Sequence, residues 1–229
     1  MRFFMEILPF NACDYRCERC LETERCAVFR MGKERDERNF ALGRETEGIE
    51  AALRDVKEIF AETTEMLLEK AEEMGIDLDE MDDTERRDPF EEAKQDPLYQ
   101  QAYDFMIRTR AFLERAEPLI TPAGQEFYED VVWHHTIVPA KTFRAIGSDD
   151  EPEIRFDAVN SAAAAIKSLT ICIMAFGELA LRYPEISEEC RGLSKTAADI
   201  KRALRERFTE CSGRQFEADE SRGSLDFPA

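Results

Sequence analysis

Residues 157–183 read DAVNSAAAAIKSLTICIMAFGELALRY, and this stretch decides the fold class. Val159, Ala163, Ile166, Leu169, Ile173, Phe176 and Ala180 recur in steps of three and four, the period of one helix face. The alanines at 162–165 permit close approach of a neighbouring helix, and Pro184 supplies the stop. Lys167 and Glu178 break the apolar run into pieces of about ten residues, short of a bilayer span. The stretch therefore predicts the buried helix of a bundle.

Helical periodicity extends outward in both directions. Over 45–74, Ile49, Leu53, Val56, Ile59, Phe60, Leu67 and Met74 form one stripe, and Gly75 is a C-terminal stop. A helix over 98–117 places Ala102, Met106, Phe112, Leu113 and Ala116 inward and ends at Pro118. Thr121-Pro122 reads as an N-cap with proline at the first helical position, opening a helix to about Ile146 with a kink at Pro139. A last helix runs over 187–211 through Cys190, Leu193, Ala197, Ile200, Leu204 and Phe208. The predicted fold is all-α, an antiparallel bundle of four to five long helices with a small N-terminal cysteine-rich cap. The cap occupies 1–44, with a short strand over 2–10 and a loop-like, charged 29–44, and docks on the bundle. The bundle spans 45–212, with an acidic linker at about 75–97 and a flexible tail over 213–229.

Composition narrows the functional classes. The 229 residues carry 50 acids against 31 bases, a net charge of −19 that repels phosphate backbones and argues against nucleic-acid binding. Lys201, Arg202, Arg205 and Arg207 are spread around a helix and read as a solvated face. Residues 1–10 contain Arg2, Glu6 and Pro9 and lack a continuous signal-type apolar core. Seven cysteines, an odd number, fit a reducing cytoplasmic setting better than a disulfide scaffold. No membrane role is expected.

Four of those cysteines lie within fourteen residues: Cys13, Cys17, Cys20 and Cys26, spaced C-x3-C-x2-C-x5-C. Four thiolates complete a tetrahedral zinc site or ligate one iron–sulfur cluster. Ligands close in sequence lower the entropy cost of closing the loop between them. If the chain is helical there, steps of four and three put Cys13, Cys17 and Cys20 on one face, and Cys26 reaches back. Phe3, Phe4, Phe10, Val28 and Phe29 are available as an apolar shell. The alternative is a redox pair at Cys17 and Cys20, although no βαβ pattern surrounds it.

Residues 8–20, LPFNACDYRCERC, resemble the start of a radical SAM enzyme. In that family a short strand leads into C-x3-C-x2-C, and the three cysteines hold a [4Fe-4S] cluster that binds S-adenosylmethionine. The resemblance implies that role for Cys13, Cys17 and Cys20, with Asn11 and Asp14 in the expected neighbourhood. It covers thirteen residues. The residue before the last cysteine is Arg19 where the family favours an aromatic, and no series of strand–helix units follows Cys26.

The only histidines are His134 and His135. Asp130 and His134 are four apart and share a helix face, as half of a metal site or an acid–base pair would. The Glu-x-x-His of di-iron bundles is absent, since Val131 and Val132 stand three before them. His134 follows the stripe Phe127, Val131, Val138 and reads as a buried, hydrogen-bonded histidine, with His135 exposed or interfacial. Trp133 reads as a core residue. Cys172, Cys190 and Cys211 fall on apolar stripes and read as core thiols. No phosphate loop, serine elbow or HExxH motif occurs. The sequence thus points to a non-catalytic, cytoplasmic metalloprotein binding zinc or a [4Fe-4S] cluster through Cys13, Cys17, Cys20 and Cys26. Its role is to bind a protein partner or to sense, with a homodimer as a further option. The other two readings are a metal-free thiol-redox interaction module and an iron–sulfur enzyme of radical SAM type.

Overall fold

The computed structural model describes residues 13–76, 89–147 and 155–208. The expected strand over 2–10, the tail over 213–229 and Cys211 lie outside them. Every regular element among the described residues is helical. The α-helices are α1 (Ala27–Ala41), α2 (Ile49–Met74), α3 (Pro89–Gln95), α4 (Pro97–Ala116), α5 (Gln125–Gly147), α6 (Arg155–Arg182) and α7 (Ser187–Phe208). The chain divides into two compact units. One comprises the residues up to Arg16 together with those from Asp88 onward, and the other is Cys17–Arg87.

In the first unit α6 is the central helix. It packs against α5 on one side and α7 on the other, and α4 closes the ring by meeting both α5 and α7. Short connections join these neighbours, as in an antiparallel four-helix bundle. The buried residues of α6 include Ala158, Ala162, Ala165, Leu169, Cys172, Phe176 and Leu179. Val159, Ala163, Ile173 and Ala180 are only half-buried. The inward face is thus wider than the sequence stripe and centred to one side of it, because two neighbours cover α6. Phe176 stands in the middle, edge-on to Phe105 and Phe112 of α4 with ring centroids 6.4 and 5.7 Å away. Helix α6 is long and apolar enough to cross a membrane, with a mean hydropathy of 1.7 in its most apolar window, half of which is buried in this bundle.

Three local expectations are corrected. Thr121 does not cap α5, which begins at Gln125. Residues 121–124 instead form a turn that Tyr183 fills. Its Oη accepts a hydrogen bond from Thr121 N at 3.1 Å and lies 2.9 Å from Thr121 Oγ1. A Cβ at Gly124 would sit 2.6 Å from Tyr183 Cε2, so the ring requires glycine there. The acidic linker ends in α3, whose Ala93 is buried, and Asp96 then caps α4 by accepting from Leu98 N at 2.8 Å. Burial alone would raise the Asp96 pKa. Arg207, 2.7 Å away, and the cap amides outweigh it and hold the carboxyl below its usual value.

The second unit is a hairpin of α1 and α2. The expected loop over 29–44 is helix α1, because Cys26 serves as its N-cap and its residues are good helix formers despite lacking an apolar stripe. Ion pairs hold it to α2, Arg35 to Glu62 at 2.6 Å and Arg38 to Glu62 at 3.5 Å, and Arg44, just past its end, pairs with Glu58 at 2.9 Å. Asn39, fully buried, donates through Nδ2 to Asp55 Oδ1 at 3.1 Å. Helix α2 ends as expected, with Gly75 in the left-handed conformation at φ 66°.

Candidate metal centre

The six described cysteines are thiols. In the second unit, Cys17 opens a short 3-10 turn that brings Cys20 N to within 3.2 Å of its carbonyl oxygen. Glu22 N donates to Cys20 Sγ at 3.4 Å. A second 3-10 turn, Thr23–Arg25, delivers Cys26 to the start of α1, where Phe29 N donates to Cys26 Sγ at 3.5 Å. Cys26 is buried, and Cys17 and Cys20 are half-buried.

Cys13 belongs to the first unit and receives the same kind of bond, from Tyr15 N at 3.1 Å. The three residues that follow it form a strap on α5 and α6. Asp14 pairs with Lys167 at 2.8 Å and accepts from Arg16 N at 3.2 Å. Its carbonyl accepts from Trp133 Nε1 at 2.7 Å. Arg16 lies 5.3 Å above the Trp133 ring and 3.7 Å from Asp130. Lys141 lies 5.2 Å over the Tyr15 ring. Tyr15 itself adopts φ 62°, a left-handed conformation that costs a non-glycine residue about 1 kcal/mol and is held here by its neighbours. Burial would raise the Asp14 pKa, but Lys167 and the Arg16 amide overcome it and keep the carboxyl below its ordinary value.

Beneath the strap, His134 is buried, and its Nδ1 lies 3.2 Å from Ser168 Oγ on α6. Burial pushes its pKa below the usual histidine value, against the pull of Asp14 and Asp130. His135, expected to be exposed or interfacial, is also buried. Helix α5 is covered on both flanks, by α6 and by α4, so His134, against Ser168 of α6, and His135 are both out of water. The Nδ1 of His135 stays against its own helix, 2.8 Å from Val132 O and 3.0 Å from Val131 O. Burial lowers its pKa too. Trp133 is not a core residue; it stands half-exposed under the strap. Cys172 and Cys190 are buried core thiols, as expected. Burial pushes both upward, Cys190 to about 12, with Asp130 adding to the shift at Cys172 and Glu189 at Cys190.

Among the described residues, no group of three or more His, Cys, Asp or Glu is gathered closely enough to hold a metal ion. The strap itself was not legible from motifs. Its only sequence signal is the alternation of charges at Asp14 and Arg16 between two cysteines, next to the chain's single tryptophan in space but not in sequence. Comparison with protein families, curated proteins and solved structures returns no match.

Proposed function

We propose that this protein is a non-catalytic metalloprotein in which Cys13, Cys17, Cys20 and Cys26 bind zinc or a [4Fe-4S] cluster, and which works by binding a protein partner. The observation that supports this most is the hydrogen bonding of the sulfurs. Cys13, Cys20 and Cys26 each accept a backbone N–H from the residue two or three positions on, at 3.1–3.5 Å. Metal thiolates are oriented by such donors. The two 3-10 turns also keep Cys17, Cys20 and Cys26 within a few residues of chain, so little loop entropy opposes bringing them to one ion.

Metal analysis on anaerobically purified full-length protein tests the proposal. The expected content is about one zinc or about four irons per chain. Cys17→Ser and Cys26→Ser should each lose most of it. Less than about half of one equivalent in the wild type overturns the proposal, as does a Cys17→Ser protein that keeps its metal. A metal-free protein that forms a reversible disulfide among the four cysteines is instead the redox module.

A further inference from the structure

Helix α1 is docked on α2 almost wholly through polar groups. Beyond its first turn, over residues 30–41, the only side chains shielded from solvent are Arg35 and Asn39, while Met31 and Phe40 are 67 and 79% exposed. Over 49–62 the shielded residues of α2 are Ala51, Arg54, Asp55 and Glu58, of which only Ala51 is apolar. Asn39 Nδ2 reaches both carboxylate oxygens of Asp55, at 3.1 and 3.2 Å. Arg35 lies 2.6 Å from Glu62 and 3.7 Å from Glu58, Arg38 lies 3.5 Å from Glu62, and Arg44, just past the helix, lies 2.9 Å from Glu58. Long arginine side chains span the gap, and the two backbones lack the close approach that α5 and α6 show.

Such a contact has little to hold it once its charges are screened. A helix of 15 residues without a packed apolar face is marginal in water, so α1 depends on these pairs to stay wound. Arg38 and Glu62 are each about half exposed, which leaves their pair open to salt. The Debye length falls from about 10 Å at 0.1 M salt to about 3 Å at 1 M, and exposed pairs weaken accordingly. We propose that α1 is a conditional helix, an ionic latch on α2. It is folded while Arg35, Arg38 and Arg44 engage Glu58 and Glu62, and it detaches and unwinds when those charges are screened or removed, while the bundle helices stay folded. The latch makes the segment that follows Cys26 responsive to ionic strength. Release sets three arginines free on one side and the carboxylates of Asp55, Glu58 and Glu62 on the other. None of this depends on the metal.

Hydrogen exchange of the full-length protein, read segment by segment by mass spectrometry, tests the latch at about 0.1 M and about 1 M sodium chloride. Peptides covering 30–41 should exchange about fivefold faster at the higher salt, while those from α5, α6 and α7 keep their rates. Glu58→Gln combined with Glu62→Gln should bring on the fast rate at low salt and abolish its salt dependence, because the pairs are already gone. Met31→Ser, which alters an exposed side chain of the same helix, should leave both rates as in the wild type. Protection over 30–41 that is equal at the two salt concentrations overturns the proposal. So does a double variant that keeps wild-type protection, and so does a salt-induced loss shared equally by α5, α6 and α7, which makes the event global unfolding. The wild-type salt series requires no substitution, so it decides the matter even where the double variant fails to fold.

Discussion

Removing the Asp14 carboxylate should loosen the strap by an amount that can be worked out from its surroundings. The Asp14 side chain is 13% exposed and its partner Lys167 is 52% exposed, so one charge is covered and the other is half in water. A hydrogen bond to a charged group contributes about 1.5–3 kcal/mol when both partners are covered, and an exposed ion pair about 0–1 kcal/mol. The pair lies between, at about 1 kcal/mol, and the Arg16 N–H bond to Oδ1 is one that an asparagine oxygen still accepts. Asp14→Asn should therefore cost about 1 kcal/mol, and a double-mutant cycle with Lys167→Met should return a coupling of about the same size. The assay is urea unfolding at pH 7 followed by tryptophan emission. Trp133 is the only tryptophan, donates to the Asp14 carbonyl, and is stacked by Arg16. Because the folded-state pKa is depressed, this contribution is fully present above the unfolded value near 3.9 and is lost as pH falls through the lower folded value. A coupling below about 0.3 kcal/mol at pH 7, with emission unchanged in Asp14→Asn, refutes the strap as an energetic link.

Other outcomes follow from the same geometry. Gly124→Ala forces a methyl group into the Tyr183 ring and should cost about 1–3 kcal/mol by thermal melting; made in a Tyr183→Ala background the same substitution should cost less, and a Gly124→Ala variant as stable as wild type disproves the contact. His134 and His135 are held neutral by burial, so below about pH 6.5 the unfolded chain takes up protons that the folded chain refuses. Stability should fall from about pH 6.5 down to the depressed folded values, and the slope should flatten in a His134→Gln, His135→Gln double variant; identical slopes between pH 7 and 5 would contradict this.

The bundle was legible because its helices obey one rule. Leu193, Ala197, Ile200 and Leu204 recur at helical spacing, and all four are buried in α7. Helix α1 was not, because its stability comes from a cysteine cap and from arginines that reach α2, neither of which leaves an apolar period. The stripe of α2 was legible as a helix, but not as an outward face: periodicity reports which residues share a side, and only the position of Arg35 and Arg44 shows which side is covered. His135 was misplaced for a related reason. A one-sided helix would leave it in water, whereas α5 is packed on two sides.

The cysteine spacing has a constraint apart from the proposed metal site. That proposal concerns only Cys13, Cys17, Cys20 and Cys26, yet all three residues between the first two are already engaged. Asp14 is tied to Lys167, Tyr15 packs on Lys141, and Arg16 sits between Asp130 and Trp133. The left-handed φ of Tyr15 lies between the contacts of Asp14 with α5 and α6 and those of Arg16 with α5. The residues between Cys13 and Cys17 thus answer to the bundle surface whatever the sulfurs bind. This is why a motif search over the cysteines alone reads only half of what the segment encodes.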